Sequence, residues 1–230
     1  MARLARLTLA SQVHHLQQRG NGDQLIMRDE ADAQRWLALL AEGAQALGVD
    51  IHAYVLLPDG WQMLATPHSA SGIPALMQTL GRRYVRYYND RYQRRGALFE
   101  GRYRSTLIDP QSHLLAIMTL MDWLPVRAGL VARPADWSWS SHAHYAGLRA
   151  ARMLKLHPAI WTLGNTPFAR EAAYVERVGQ GLDEGMQVQI QAALAGWALG
   201  SAEFVAAVQQ ASARRVVKQR AGRPQRQTQE

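Results

Sequence analysis

The stretch "VDIHAYVLLPDGWQMLATP", residues 49–67, sets two apolar runs on either side of Pro58-Asp59-Gly60. Proline presets the first corner of a turn, Asp bonds to nearby backbone and Gly closes it, so the pattern predicts a strand–turn–strand hairpin. "VDIHAYVLL" is expected as a half-buried strand with "WQMLATP" pairing back on it. An isolated hairpin is marginal in water, so further strands or a helix must cover it. "VHHLQQRGNGDQLI" reads as another strand running into a Gly-Asn-Gly turn, and "GRYRSTLID" as a short fourth strand. "DEADAQRWLALLAEGAQALG" has acidic residues in its first turn, apolar residues at helical spacing and Gly48 as a stop. Leu76, Leu80, Tyr84 and Tyr88 recur at four-residue steps, which predicts a long helix ending near Gly96. Pro110 opens a third helix, "PQSHLLAIMTLMDWL".

The resulting order, β-α-β-β-α-β-α, predicts an α+β fold: a ferredoxin-like sandwich with a central antiparallel sheet. That domain is expected over residues 1–148. Residues 149–213, rich in Ala and Leu, are expected as a C-terminal helical appendage, and 214–230 as a basic, disordered tail. No apolar run approaches the roughly 20 residues of a membrane span, so no membrane partner and a cytoplasmic, nucleoid-associated location are expected.

The absence of cysteine excludes disulfides, thiolate nucleophiles and Cys-ligated zinc. The formal net charge is +8, and its distribution is uneven. Arg82, Arg83, Arg86, Arg91, Arg94 and Arg95 crowd one helix, with Arg102, Tyr103 and Arg104 following. Guanidiniums so close repel one another unless an anion neutralises them, and interleaved tyrosines offer rings to bases. These residues, with Arg127 and with Arg223 in "AGRP", are the expected DNA contacts. "AGRP" is similar to the core of an AT-hook, an extended peptide of the minor groove. Tyr84 and Tyr88 are expected in the core. His14 and His15 point opposite ways on their strand, one inward and one outward. His142 and His144 are expected as surface or capping histidines.

"HHLQQRG", "IHAYVLLP", "LMQTLGRRYVRYYNDRYQRRGALFEGRYRSTLID", "LPVRAGLV" and "DWSWSS" stand in an order that resembles REP-associated tyrosine transposases, single-tyrosine HUH enzymes. The resemblance is dense over residues 1–148 and loose through "LGSAEF" and "AGRP". It implies chemistry on single-stranded DNA. Two His flanking an apolar residue on a central strand would hold Mg²⁺ or Mn²⁺, and a helix-borne Tyr would attack the scissile phosphate. Here the Met-Pro-Asn-His-apolar-His pattern falls on Leu57-Pro58-Asp59-Gly60-Trp61-Gln62. The nucleophile position is Leu120, and an Asn near the metal is replaced by Leu124. No His lies between His52 and His68 and no Tyr between Tyr103 and Tyr145, so sliding the frame restores neither.

The expected function is therefore binding of hairpin or single-stranded DNA without strand cleavage, with no cofactor, no metal site and no catalytic residue. A homodimer or an intact partner transposase is a further expected partner. One alternative is an active transposase or nuclease with a rewired site using Asp59, Gln62 or His142 and His144. A second is a protein-interaction or RNA-binding module on the same scaffold.

Overall fold

A computed structural model describes residues 7–22, 24–194 and 196–218; Arg223 and the "AGRP" segment lie outside the described residues. Strands β1 (His14–Arg19), β2 (Val49–Leu57), β3 (Gly60–Pro67) and β4 (Arg104–Leu107) form one antiparallel sheet in the order β2-β3-β1-β4. This is the strand order of the ferredoxin-like sandwich that the sequence predicts.

Helices α1 (Glu30–Leu47) and α2 (Gly72–Arg91) cover one face. Asp29 caps α1 by accepting from the Asp32 amide, and Gly48 ends it in the left-handed region at φ 60°. Gly43 lets the two helices approach closely, because a Cβ there would lie 2.8 Å from Leu76 Cδ1. The α1 residue Trp36 stacks at 5.5 Å on Trp61 of β3, and both rings are fully buried. α2 buries Leu76, Leu80, Tyr84 and Tyr88 as its four-residue spacing predicts. It stops at Arg91 rather than near Gly96, because Gln93 takes a positive φ of 50° and the Arg94 amide turns back to the Asn89 carbonyl.

The opposite face is covered too. α3 (Pro110–Arg127) crosses it from β4 towards β2, and α5 (Pro167–Gln180) and α6 (Glu184–Ala193) pack on α3. The hydroxyl of Thr106 on β4 donates to the Ala193 carbonyl of α6 at 2.9 Å. This second layer corrects the expectation of half-buried strands: β2 and β3 are buried on both faces, which suits the nearly continuous apolar run "AYVLL". It also corrects the pair His14 and His15. They do point to opposite faces, but each face is a core, so both are buried.

Backbone from the C-terminal half closes both sheet edges, where unpaired strand groups would otherwise invite aggregation. Along β2, the Leu56 amide donates to Trp139, the Ser141 amide to Tyr54 and the Lys155 amide to Ile51. Along β4, the Leu199 amide donates to Leu107 and the Asp109 amide to Leu199. α7 (Ala202–Gln210) brings Phe204 and Val208 to Leu107 beside that edge.

The short helix α4 (His142–Tyr145) carries a second correction. His142 is not on the surface: its Nδ1 donates to Asp122 of α3 at 2.7 Å, and the Tyr174 hydroxyl of α5 donates to the same carboxylate oxygen at 2.7 Å. All three are almost fully buried. Burial pushes the Asp122 carboxyl up, opposed by the two donors. His144 is half-buried, and its Nδ1 accepts from the Ala151 amide. Removing Asp122 leaves two donors without an acceptor in a dry core. Asp122→Ala is expected to lower unfolding free energy by about 3–5 kcal/mol in urea denaturation, and Asp122→Asn, which keeps an acceptor, by less.

Candidate nucleic-acid interface

The β2–β3 turn is pinned by the segment that follows β1. The Pro58 carbonyl accepts from the amides of Ile26 and Met27, and the Asp59 carbonyl from the Gly20 amide. The Asp59 carboxylate pairs with Arg19 at 2.8 Å in an exposed ion pair. Gly60 opens β3 opposite Arg19, so close to β1 that a Cβ at Gly60 would lie 2.9 Å from the Gln18 carbonyl oxygen. The neighbour is backbone, so any side chain at this position must displace a strand.

Gln62 pairs across the sheet with Gln17 of β1 and Val55 of β2, and Gln17 with Arg104 of β4. Its amide oxygen accepts from His15 Nε2 at 2.9 Å. His15 Nδ1 is buried with no hydrogen-bond partner among the described residues. Burial pushes His15 down to about 4, so the ring is neutral at pH 7. On α3, Leu120 is buried in the main core and Leu124 packs half-buried against it.

These side chains do not fit a divalent cation. At the two positions where the family resemblance implies ligands, one residue has no side chain and the other contributes a neutral amide already bound to His15. Among the described residues no three His, Asp or Glu converge as a metal site. The residues of a rewired site are engaged elsewhere, Asp59 with Arg19 and His142 with Asp122.

The candidate arginines divide into two sets. Arg83 pairs with Glu42 at 2.7 Å, and Arg86 faces Asp90 at 3.7 Å. Arg91 bonds to both Asp29 and Asp32. Arg94 donates to the Gln24 amide oxygen. The anions that so many guanidiniums require are therefore partly internal. Asp32 is the centre of this clamp: fully buried, it accepts from Arg91, from the hydroxyls of Tyr87 and Tyr92, and from the Arg28 amide. Tyr87 and Tyr92 thus serve the α1–α2 contact. Tyr103 is 7% exposed, belongs to the core cluster and also lines an open surface hollow beside Arg102.

Arg82, Arg95, Arg102, Arg104 and Arg127 are exposed and make no ion pair with a described residue. Two of them border one open trough. Gln18, Gly81 and Phe99 form its middle, Arg82 and Arg86 stand at one end, and Arg102 at the other. Half-buried Phe99 and Val85 give it an apolar floor.

Neither a protein-family profile nor a curated protein matches the sequence. Among solved structures, a REP-associated tyrosine transposase bound to a REP hairpin superposes with a TM-score of 0.52 at 12% identity. The match covers 69% of this chain and 93% of that one. The chain shares its fold with a REP-associated tyrosine transposase. A candidate transposase from Deinococcus radiodurans R1 is also similar, with a TM-score of 0.37 and 18% identity over 52% of this chain and 95% of that one.

Sequence reasoning located Gly60 and Gln62 but missed His15 as the partner of Gln62. Only the register of β1 against β3 brings the two together, and no single-strand pattern carries that register. It likewise missed Asp32, whose position in the first turn of α1 reads as an ordinary helix-start acid.

Two outcomes test this geometry. Gly60→Ala is expected to destabilise the fold by about 1–3 kcal/mol through overpacking against β1, and Gly60→His by more, both read from thermal melts. His14 and His15 are each held near 4 by burial, below the unfolded value of about 6.5. The unfolded chain binds protons that the native rings refuse, so their contribution is complete above about pH 6.5 and is lost as pH falls towards 4. Unfolding free energy measured from pH 7 to 4 is expected to fall, and His15→Gln to make that decline shallower.

Proposed function

We propose that this protein binds DNA carrying hairpin or single-stranded segments and does not cleave it. The observation that carries the reading is the set of arginines left uncompensated on the surface, with Arg82 and Arg102 bordering a trough with an apolar floor. A net charge of +8 and a fold shared with a transposase bound to a DNA hairpin support it. Phosphates supply the anions these arginines lack, and the floor offers apolar surface to unpaired bases. Absence of cleavage follows from the substitutions at Gly60, Gln62 and Leu120. Gln62 is held by His15, Gly60 has no room for a side chain, and Leu120 has no nucleophilic atom.

On this reading the internal ion pairs separate structural arginines from those that meet phosphates. Arg83 and Arg91 are matched by carboxylates of α1, so their removal costs helix packing more than DNA affinity. Arg82 and Arg102 meet no such partner among the described residues.

The test is the salt dependence of affinity for a hairpin with a single-stranded tail. Each neutralised phosphate adds roughly 0.7–0.9 to the slope of log K against log salt. Arg82→Ala with Arg102→Ala is expected to reduce that slope by about 1.5, while Arg83→Ala leaves it unchanged. Equal slopes in both variants, or no binding of the wild type at low salt, would contradict the proposal.

A further inference from the structure

A partly enclosed cavity of about 210 Å³ lies beside the β2–β3 turn. Its walls are Leu57 and Pro58 of the turn, Arg28 and Glu30 at the start of α1, and the indoles of Trp137 and Trp139. We infer that this cavity receives one unpaired nucleobase of a bound DNA strand, an inference that rests on the DNA binding proposed above.

Size, charge and wall chemistry point to that occupant. The volume corresponds to roughly seven waters at about 30 Å³ each, the scale of a single planar heterocycle. Both tryptophans are only half-buried, although they belong to a segment fixed to β2 by backbone pairing. Trp137 is locked further, since its indole N–H donates to the Leu56 carbonyl at 2.9 Å. Trp137 is held through its indole and Trp139 through its backbone, so much of the ordering cost of this aromatic wall is met by the fold.

The charged neighbours do not make this a cation site. The Asp29 carboxylate is taken by a two-pronged contact with Arg91 at 2.6 and 2.9 Å. The Arg28 guanidinium lies 4.2 Å from the centre of the Tyr92 ring and donates to the Tyr88 hydroxyl, which holds it in place. What remains is an aromatic wall with the Glu30 carboxylate at its rim, able to accept from the amino or ring N–H groups of a base. A nucleic acid whose phosphates run over the surface can turn one unpaired base into such a cavity, and a fully paired duplex cannot.

The experiment uses the full-length protein and a hairpin with a single-stranded tail, with an abasic site placed at each tail position in turn. One position is expected to stand out, with affinity reduced on the order of tenfold. In Trp139→Ala that position loses its effect, and in Trp139→Phe it is kept. Trp139 is chosen because its tie to Leu56 runs through its backbone carbonyl, which every variant retains. A flat abasic scan in the wild type, or an unchanged scan in Trp139→Ala, overturns the inference. A second readout separates it from DNA binding as a whole: deoxyadenosine monophosphate is titrated against tryptophan fluorescence. Quenching that disappears in Trp139→Ala supports the cavity even if no oligonucleotide binds, an outcome that would sink only the proposed function. Absence of quenching in the wild type, or quenching that persists in Trp139→Ala, counts against the cavity.

Discussion

β1 is the constraint on which the rest of the structure depends. It pairs with β3 on one side and β4 on the other, and its side chains alternate between the two packed faces of the sheet. The pairing with β3 brings the Gln18 carbonyl so near Gly60 that no Cβ fits, and one step along it sets His15 against Gln62. Gly60 and Gln62, the positions where the sequence resemblance implies metal ligands, are thus absorbed into sheet packing. A strand contact and a half-buried side-chain hydrogen bond occupy these two positions. Because His15 is neutral, that hydrogen bond is uncharged.

The same economy governs the arginines. A cluster that looks uniformly basic along the chain is divided by the fold into guanidiniums that hold α2 to α1 and guanidiniums that face solvent. Asp29, Asp32 and Glu42 of the α1 region neutralise the first set, and Asp32 does so from a fully buried position with four donors around it. The second set, with Arg82 and Arg102 at the trough, carries the electrostatic field available to a partner. Tyr87 and Tyr92 follow the structural set, and Phe99 and Tyr103 line the trough beside the exposed cations.

The β-α-β-β-α-β-α order was legible because each element carries its own local marks: the Pro-Asp-Gly turn, the Asp29 cap, the Leu76–Tyr88 stripe and Pro110 at the start of α3. What was not legible depends on contacts between segments distant in sequence. The burial of His14 and His15 on both faces follows from α3, α5 and α6 forming a second layer, and nothing in "HHLQQR" announces it. His142 reads as a surface residue within "SSHAHY" until Asp122, 20 residues before it, and Tyr174, 52 residues after Asp122, close around it. The "DWSWSS" stretch was visible as a motif, but its service as backbone cover for the β2 edge and as a cavity wall comes from its contacts with β2. Of the candidate contacts, Arg82 and Arg102 keep exposed, uncompensated charge, Arg83 and Arg91 are matched by carboxylates, and Tyr103 is nearly buried while lining the trough.

The central claim, a DNA-binding scaffold whose cleavage positions serve packing, is tested most directly on one labelled hairpin with a single-stranded flank, in Mg²⁺ and in Mn²⁺. Native and denaturing gels of the same mixture read binding and covalent chemistry together. The account predicts a retarded complex on the native gel, with an uncut strand and no protein–DNA adduct on the denaturing gel. A covalent adduct or a cleaved strand from the wild-type protein would contradict it.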